Sequence, residues 1–146
     1  MNMDTISSKR FARGFTLVEL MIVVVIIAIL VGIAYPLYTE QVRKAHRADG
    51  KSALMEIMQA EERYRTTEFT YTTDLDGDLG YSSDPVESDE SYYQVAAAAC
   101  AGDIRVCVQL TATPINAQSG DKCGNLTLDS RGNKGRSGSA PMDQCW

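Results

Sequence analysis

The chain has 146 residues, a formal charge of −5, 45% hydrophobic residues, a single histidine and four cysteines. An acidic balance disfavours nucleic acid as the main partner, because phosphate binding rests on clustered Lys and Arg. One histidine cannot supply the usual Ser-His-Asp or Cys-His sets, and no glycine-rich phosphate loop occurs, so neither catalysis nor a cofactor is expected.

At the N-terminus, Lys9, Arg10 and Arg13 precede a Gly14-Phe15 junction, and from Phe15 to Thr39 the only charge is Glu19. Leu20 to Thr39 is an uncharged run of twenty residues. At about 1.5 Å per residue that is enough for one membrane-spanning helix. An acidic residue costs on the order of 2.5–3.5 kcal/mol at the centre of such a helix, so Glu19 at its edge needs a neutralising partner. Cleavage between Gly14 and Phe15 would create one, a new α-amino group. The helix cannot easily return that amine to its own Glu19, but a neighbouring copy's amine can reach it, which argues for self-assembly. The basic leader predicts a cytoplasmic N-terminus, with everything after Tyr38 on the far side of the membrane. An ordinary secretory signal is the competing reading, with cleavage after Gly32-Ile33-Ala34 and Tyr35 as the new first residue. The apolar run is longer than the roughly 7–15 residues of such signals, and Glu19 would have no purpose in one.

Pro36 interrupts the apolar run, but an isolated proline often kinks a transmembrane helix without ending it. Beyond it Val42, Ala45, Ala53, Ile57, Ala60 and Tyr64 recur mostly at three or four residues. Arg43, Lys44, Arg47, Lys51, Glu56, Glu61 and Glu62 fill the other faces. Gly50 weakens the pattern locally, since glycine costs about 1 kcal/mol against alanine in a helix. The expectation is one helix from Phe15 to about Thr66, roughly 78 Å long.

Thr66 to Asp89 lacks any sustained period and reads as a long connecting loop. Tyr92–Ala99 and Arg105–Thr113 read as strands, with Val106, Val108 and Leu110 alternating onto one buried face. Pro114 to Lys122 is a loop, Gly124–Asp129 a third short strand, and Ser130 to Gln144 an irregular polar tail. A long helix packed on a small antiparallel sheet of three or four strands follows, an α+β fold.

Cys100, Cys107, Cys123 and Cys145 all lie in this distal part, an even number that points to an oxidising compartment. Three pairings are possible. The local one is preferred, because Gly102-Asp103 is a turn signal that lets Cys100 meet Cys107, leaving Cys123 with Cys145. Closing the latter loop would stabilise by about 3 kcal/mol. A zinc site lacks both the short cysteine spacing and a nearby histidine, so no metal is expected.

The run K-R-F-A-R-G-F-T-L-V-E-L-M-I-V-V-V-I-I-A-I-L at Lys9 to Leu30 resembles the leader and helix start of type IV pilins and pseudopilins. A-E-E-R-Y-R-T-T-E-F-T-Y at Ala60 to Tyr71, C-G-N-L-T-L-D at Cys123 to Asp129 and the final C-W look like PilE-type minor pilins of type IVa pili. The resemblance implies the type IV pilin fold and three segments: residues 1–14 a removed leader, 15–38 the membrane and filament-core helix, and 39–146 a periplasmic or extracellular domain. It implies that a prepilin peptidase cuts after Gly14 and N-methylates Phe15, and that Glu19 is needed for docking into the filament. It also implies that the Cys123–Cys145 disulfide pins the C-terminus to the sheet; a Cys100–Cys107 bond is less typical of the family. The implied function is that of a minor pilus subunit, held in the inner membrane and then assembled for adhesion or motility. Its implied partners are other pilins, the peptidase and the inner-membrane assembly platform. A type II secretion pseudopilin and a DNA-uptake pilin are the alternatives.

Loss of the leader removes Lys9, Arg10, Arg13 and Asp4, a net +2, and leaves side chains summing to −7. Asp74, Asp76 and Asp78 in D-L-D-G-D match a fragment of a calcium loop, but no glutamate falls at the twelfth position, so a solvated acidic loop is expected. Arg131, Lys134 and Arg136 form a small basic patch without an interleaved aromatic residue for base stacking, and read as a solvated turn. His46, among Lys44 and Arg47, reads as a surface residue, and Asn125-Leu126-Thr127 is a short glycosylation sequon.

Overall fold

The computed structural model describes residues 14–100 and 102–146; the leader residues Lys9, Arg10 and Arg13 lie outside them. The chain divides into two compact units after Tyr38.

Helix α1 runs Leu17–Glu68, with Pro36 inside it. It starts where Thr16 Oγ1 accepts the amide of Glu19, 3.2 Å away, so T-L-V-E forms an N-cap that satisfies one of the helix's free donors. Its end is set by Phe69, whose amide reaches Arg65 O with φ of 59°, a left-handed cap. In the first unit the apolar side chains from Phe15 to Tyr38 are exposed, and among the described residues α1 is the one helix long and apolar enough to cross a membrane.

Among the described residues of the second unit, five antiparallel strands form a sheet in sequential order: β1 (Val86–Glu87), β2 (Tyr93–Ala99), β3 (Val108–Pro114), β4 (Leu126–Asp129) and β5 (Lys134–Arg136). Val95, Ala112 and Leu126 lie side by side across β2, β3 and β4, and Leu110 sits opposite Leu128. Period-2 alternation puts these residues and Tyr93 on one face, where they bury Leu54, Ile57 and Leu75.

The stripe of α1 that meets the sheet is Arg47, Gly50, Leu54, Ile57 and Glu61, all buried, with Ala60 beside it. This corrects the sequence reading, which put Arg47 and Glu61 on outer faces and left out Leu54; Ala45 is exposed. Gly50 is explained by contact: a Cβ there would come within 2.7 Å of the Tyr93 ring.

Three further elements depart from expectation. The loop after α1 contains β1, which pairs with β2. Arg105 and Val106 are turn and Cys107 lies just ahead of β3, because Asp103 O accepts the amides of Val106 and Cys107, and Val106 is exposed. The polar tail holds β5 and a short helix α2 (Met142–Cys145). The β4–β5 turn is built by Asp129, whose carboxylate accepts the Arg131 and Asn133 amides, and by Gly132 at φ 81°. Disulfides join Cys100 to Cys107 and Cys123 to Cys145.

Candidate functional site

Gly14, Phe15 and Thr16 precede α1 in non-helical conformation and are exposed, Phe15 by 80%. Glu19 lies in the first turn of α1, where its negative charge also complements the helix dipole. Its carboxylate makes no ion pair among the described residues. Around it the helix surface is apolar, with Val18, Met21, Ile22, Val25 and Ile26 lining one open groove.

At the other end of the chain, the segment held by Cys123–Cys145 contains β4, β5 and α2, and Arg47 fastens both its flanks to α1. The Arg47 guanidinium donates twice to Asp121 (2.8 and 2.5 Å), once to Glu40 (2.9 Å) and once to Gln144 O (3.3 Å). Asp121 stands two residues before Cys123, and Gln144 one before Cys145. The hydrogen bonds it donates to the Asp121 carboxylate hold the guanidinium firmly protonated against the effect of its burial. Burial alone would raise the Asp121 carboxyl, but the bonds from Arg47 outweigh it and hold Asp121 below the usual carboxylate range. Gln118, fully buried, adds a second tie by donating to Arg43 O and Tyr93 Oη, both at 3.2 Å. Its Oε1 faces His46 Nδ1 at 3.2 Å, and the His46 ring stacks on Tyr92 at 3.5 Å. His46 is thus half-buried packing material and not the surface residue expected.

The structure also supplies the aromatic residue that the basic patch lacked. Trp146 donates its indole N–H to Gly135 O (2.8 Å), which fixes the ring beside β5. Lys134 Nζ lies 4.9 Å from the ring centroid and Lys51 Nζ, from α1, 6.0 Å. Partial burial first, then the charges of Arg47, Lys134 and Lys44, push Lys51 below its ordinary value, a sign of crowded cations. Arg131 instead belongs to the β4–β5 turn, and Arg136 donates to Gly138 O. Sequence reasoning missed Lys51 and Trp146 because they lie 95 positions apart.

The acidic loop is rearranged relative to its sequence pattern. Asp74, Asp76 and Asp84 bring carboxylate oxygens within 4.8 Å of one another on the exposed surface. Asp78 turns away and accepts from Thr72 Oγ1 at 2.5 Å.

Comparison with known proteins gives this geometry a context. The sequence model of a family described as "Type IV minor pilin ComP, DNA uptake sequence receptor" matches residues 36–127, more than half of the chain. The prokaryotic N-terminal methylation motif matches residues 9–35. The type IV major pilin protein PilA of Myxococcus xanthus is 35% identical over 94 residues, 64% of this chain and 40% of that protein. The type IV major fimbrial protein FimA of Dichelobacter nodosus is 48% identical over 44 residues, 30% of this chain and 28% of its own. The matched regions thus span well under half the length of either relative. A solved type IV pilin from Shewanella oneidensis is similar with a TM-score of 0.50 and 26% identity, over 71% of this chain and 97% of that one. The non-core minor pilin PilV of Neisseria meningitidis shares the fold at a TM-score of 0.51 and 20% identity, over 70% of this chain and 94% of that one.

Proposed function

The chain belongs to the type IV pilins, in the family of the minor pilin ComP, and from that premise we propose that it is a structural subunit of a type IV pilus. The observation that carries the proposal is the exposed apolar part of α1, residues 17–38, which follows Gly14-Phe15-Thr16 and carries one charge, Glu19, in its first turn. In this reading the precursor sits in the inner membrane by that helix, with residues 39–146 outside. The prepilin peptidase cleaves after Gly14 and methylates the amine of Phe15. That amine pairs with Glu19 of an adjacent subunit as the helix leaves the lipid, offsetting the cost of a carboxylate among apolar side chains. The disulfide-tied sheet then faces solvent, and the role is architectural, not catalytic. Sheared filaments from wild-type cells are expected to contain the chain in its trimmed form. Filaments lacking it, with the protein confined to the membrane fraction, would overturn the proposal.

A second reading, binding of DNA, rests on one specific arrangement. The family's description includes a DNA uptake sequence receptor, and Lys51 and Lys134 flank the Trp146 indole. Cations around an aromatic face suit a phosphate backbone with a stacked base. The full-length protein in detergent is expected to retard duplex DNA, with affinity falling as salt rises. Lys51→Glu with Lys134→Glu should abolish that retardation. Equal retardation by the double variant would remove this reading and leave the first intact.

A further inference from the structure

Glu61 is 0% exposed, yet among the described residues no cation pairs with it. Its Oε2 accepts the amide of Thr72 at 3.1 Å, and its Oε1 has no hydrogen-bond partner among the described residues. Thr72 is in turn clasped through its hydroxyl to Asp78, while Tyr81 N reaches Leu75 O to close the loop. Glu61 therefore sits where the Thr72–Tyr81 loop meets α1. A buried carboxylate with an orphan oxygen is costly; a neutral carboxyl is much less so.

We propose that Glu61 is a proton-operated latch, which when neutral lets the Thr72–Tyr81 loop close on α1 and when ionised loosens that loop so that water can reach the carboxylate. The groups facing it mostly oppose ionisation. Burial is the largest influence; the Thr72 amide comes next and favours the charged form, and the charges of Asp78 from the loop and Glu62 from α1 add to the effect of burial. Together they raise Glu61 from 4.5 to about 7. Tyr64 of α1 and Tyr81 of the loop also couple to it, and both are themselves held above the ordinary tyrosine value, mainly by burial. Arg63 acts on Tyr81, and no titratable strand residue contributes to Glu61. The closed loop thus binds a proton that an open loop releases. Closure is complete below the ordinary glutamate range, weakens as pH rises from 4.5 toward 7, and is level beyond. The exposed carboxylates of Asp74 and Asp76 ride on this loop, so the charged surface they form would respond to external pH. The inference concerns the folded subunit and does not depend on either reading above.

Hydrogen exchange of the full-length chain in detergent tests it, with rates at pH 5.5 and 8.5 corrected for the intrinsic pH dependence of exchange. Peptides covering Thr72–Tyr81 are expected to exchange several-fold faster at the higher pH in the wild type, and at one rate in Glu61→Gln. Equal corrected rates in the wild type, or the same acceleration in Glu61→Gln, would overturn the latch. Should the variant fold poorly, a carboxyl-carbon NMR titration of wild-type Glu61 serves instead. A midpoint near neutrality supports the latch, and one in the ordinary glutamate range overturns it.

Discussion

The two units of this chain solve opposite problems. Up to Tyr38 the helix exposes apolar side chains on all sides and carries one charge, Glu19; beyond it, charged side chains are abundant and, among the described residues, three of them, Arg47, Glu61 and Asp121, are buried. In the first unit a charge is anomalous because every neighbour in the run is uncharged and mostly apolar, so its meaning is local and readable from the run of residues. In the second a charge is ordinary until long-range packing takes it out of water, and its meaning then depends on distant partners. Arg47 has such partners in Asp121 and Glu40, while Glu61 has only an amide.

This contrast can be broken at defined points. The largest effect is expected for Glu19→Gln. Glutamine retains the polar third position of the T-L-V-E cap and its helix propensity, but removes the charge. The variant should insert in the membrane normally and be lost from sheared filaments, measured as the filament-to-membrane ratio. Undiminished incorporation would assign Glu19 to capping alone.

Arg47→Ala comes next. It strands the buried Asp121 carboxylate and should cost about 3–5 kcal/mol in thermal or denaturant unfolding. Replacing Arg47 by Met and Asp121 by Leu together should recover much of that loss, since an apolar pair needs no compensation. A double variant no more stable than the single one would show that the pair fixes the C-terminal segment in a way packing cannot replace.

For Glu61→Gln the sign depends on pH. The wild type should lose on the order of 2–3 kcal/mol of stability between pH 4.5 and 7, because its folded form holds the proton more tightly than the unfolded chain. The glutamine variant should lack that slope and be the more stable of the two at pH 8, read from unfolding midpoints across the range.

Gly50→Ala should destabilise by about 1–3 kcal/mol, because the added methyl meets the Tyr93 ring, an effect larger than the roughly 1 kcal/mol gained in helix propensity. Phe69→Gly should give the smallest change, a gain of a few tenths to about 1 kcal/mol. It relieves a left-handed backbone that only glycine adopts freely, offset by the entropy of the unfolded chain.

Much of the architecture was legible in the residues, and the failures have physical causes. The helix was read to within two residues of Glu68, since periodicity and apolar length are local signals. The core stripe was misread although its spacing was present: Arg47, Gly50, Leu54, Ile57 and Glu61 recur at intervals of three and four. Three of the five are charged residues or glycine, which composition assigns to the surface. β5 was missed because Lys134-Gly135-Arg136 has no apolar alternation, and it forms by pairing with β4 across a turn whose signals, Asp129 and Gly132, were visible. Val106 was given to a strand because its alternation with Val108 is real, but the Asp103 turn claims it first. The Lys51–Trp146–Lys134 grouping was beyond reach from the sequence, since only the folded sheet brings the last residue beside the middle of the helix.

Intact-mass analysis of subunits from sheared filaments tests the central claim most directly. The account predicts a chain that begins at Phe15, carries one methyl group on its amine and contains two closed disulfides. A chain beginning at Tyr35, or one still bearing the basic leader, would contradict it.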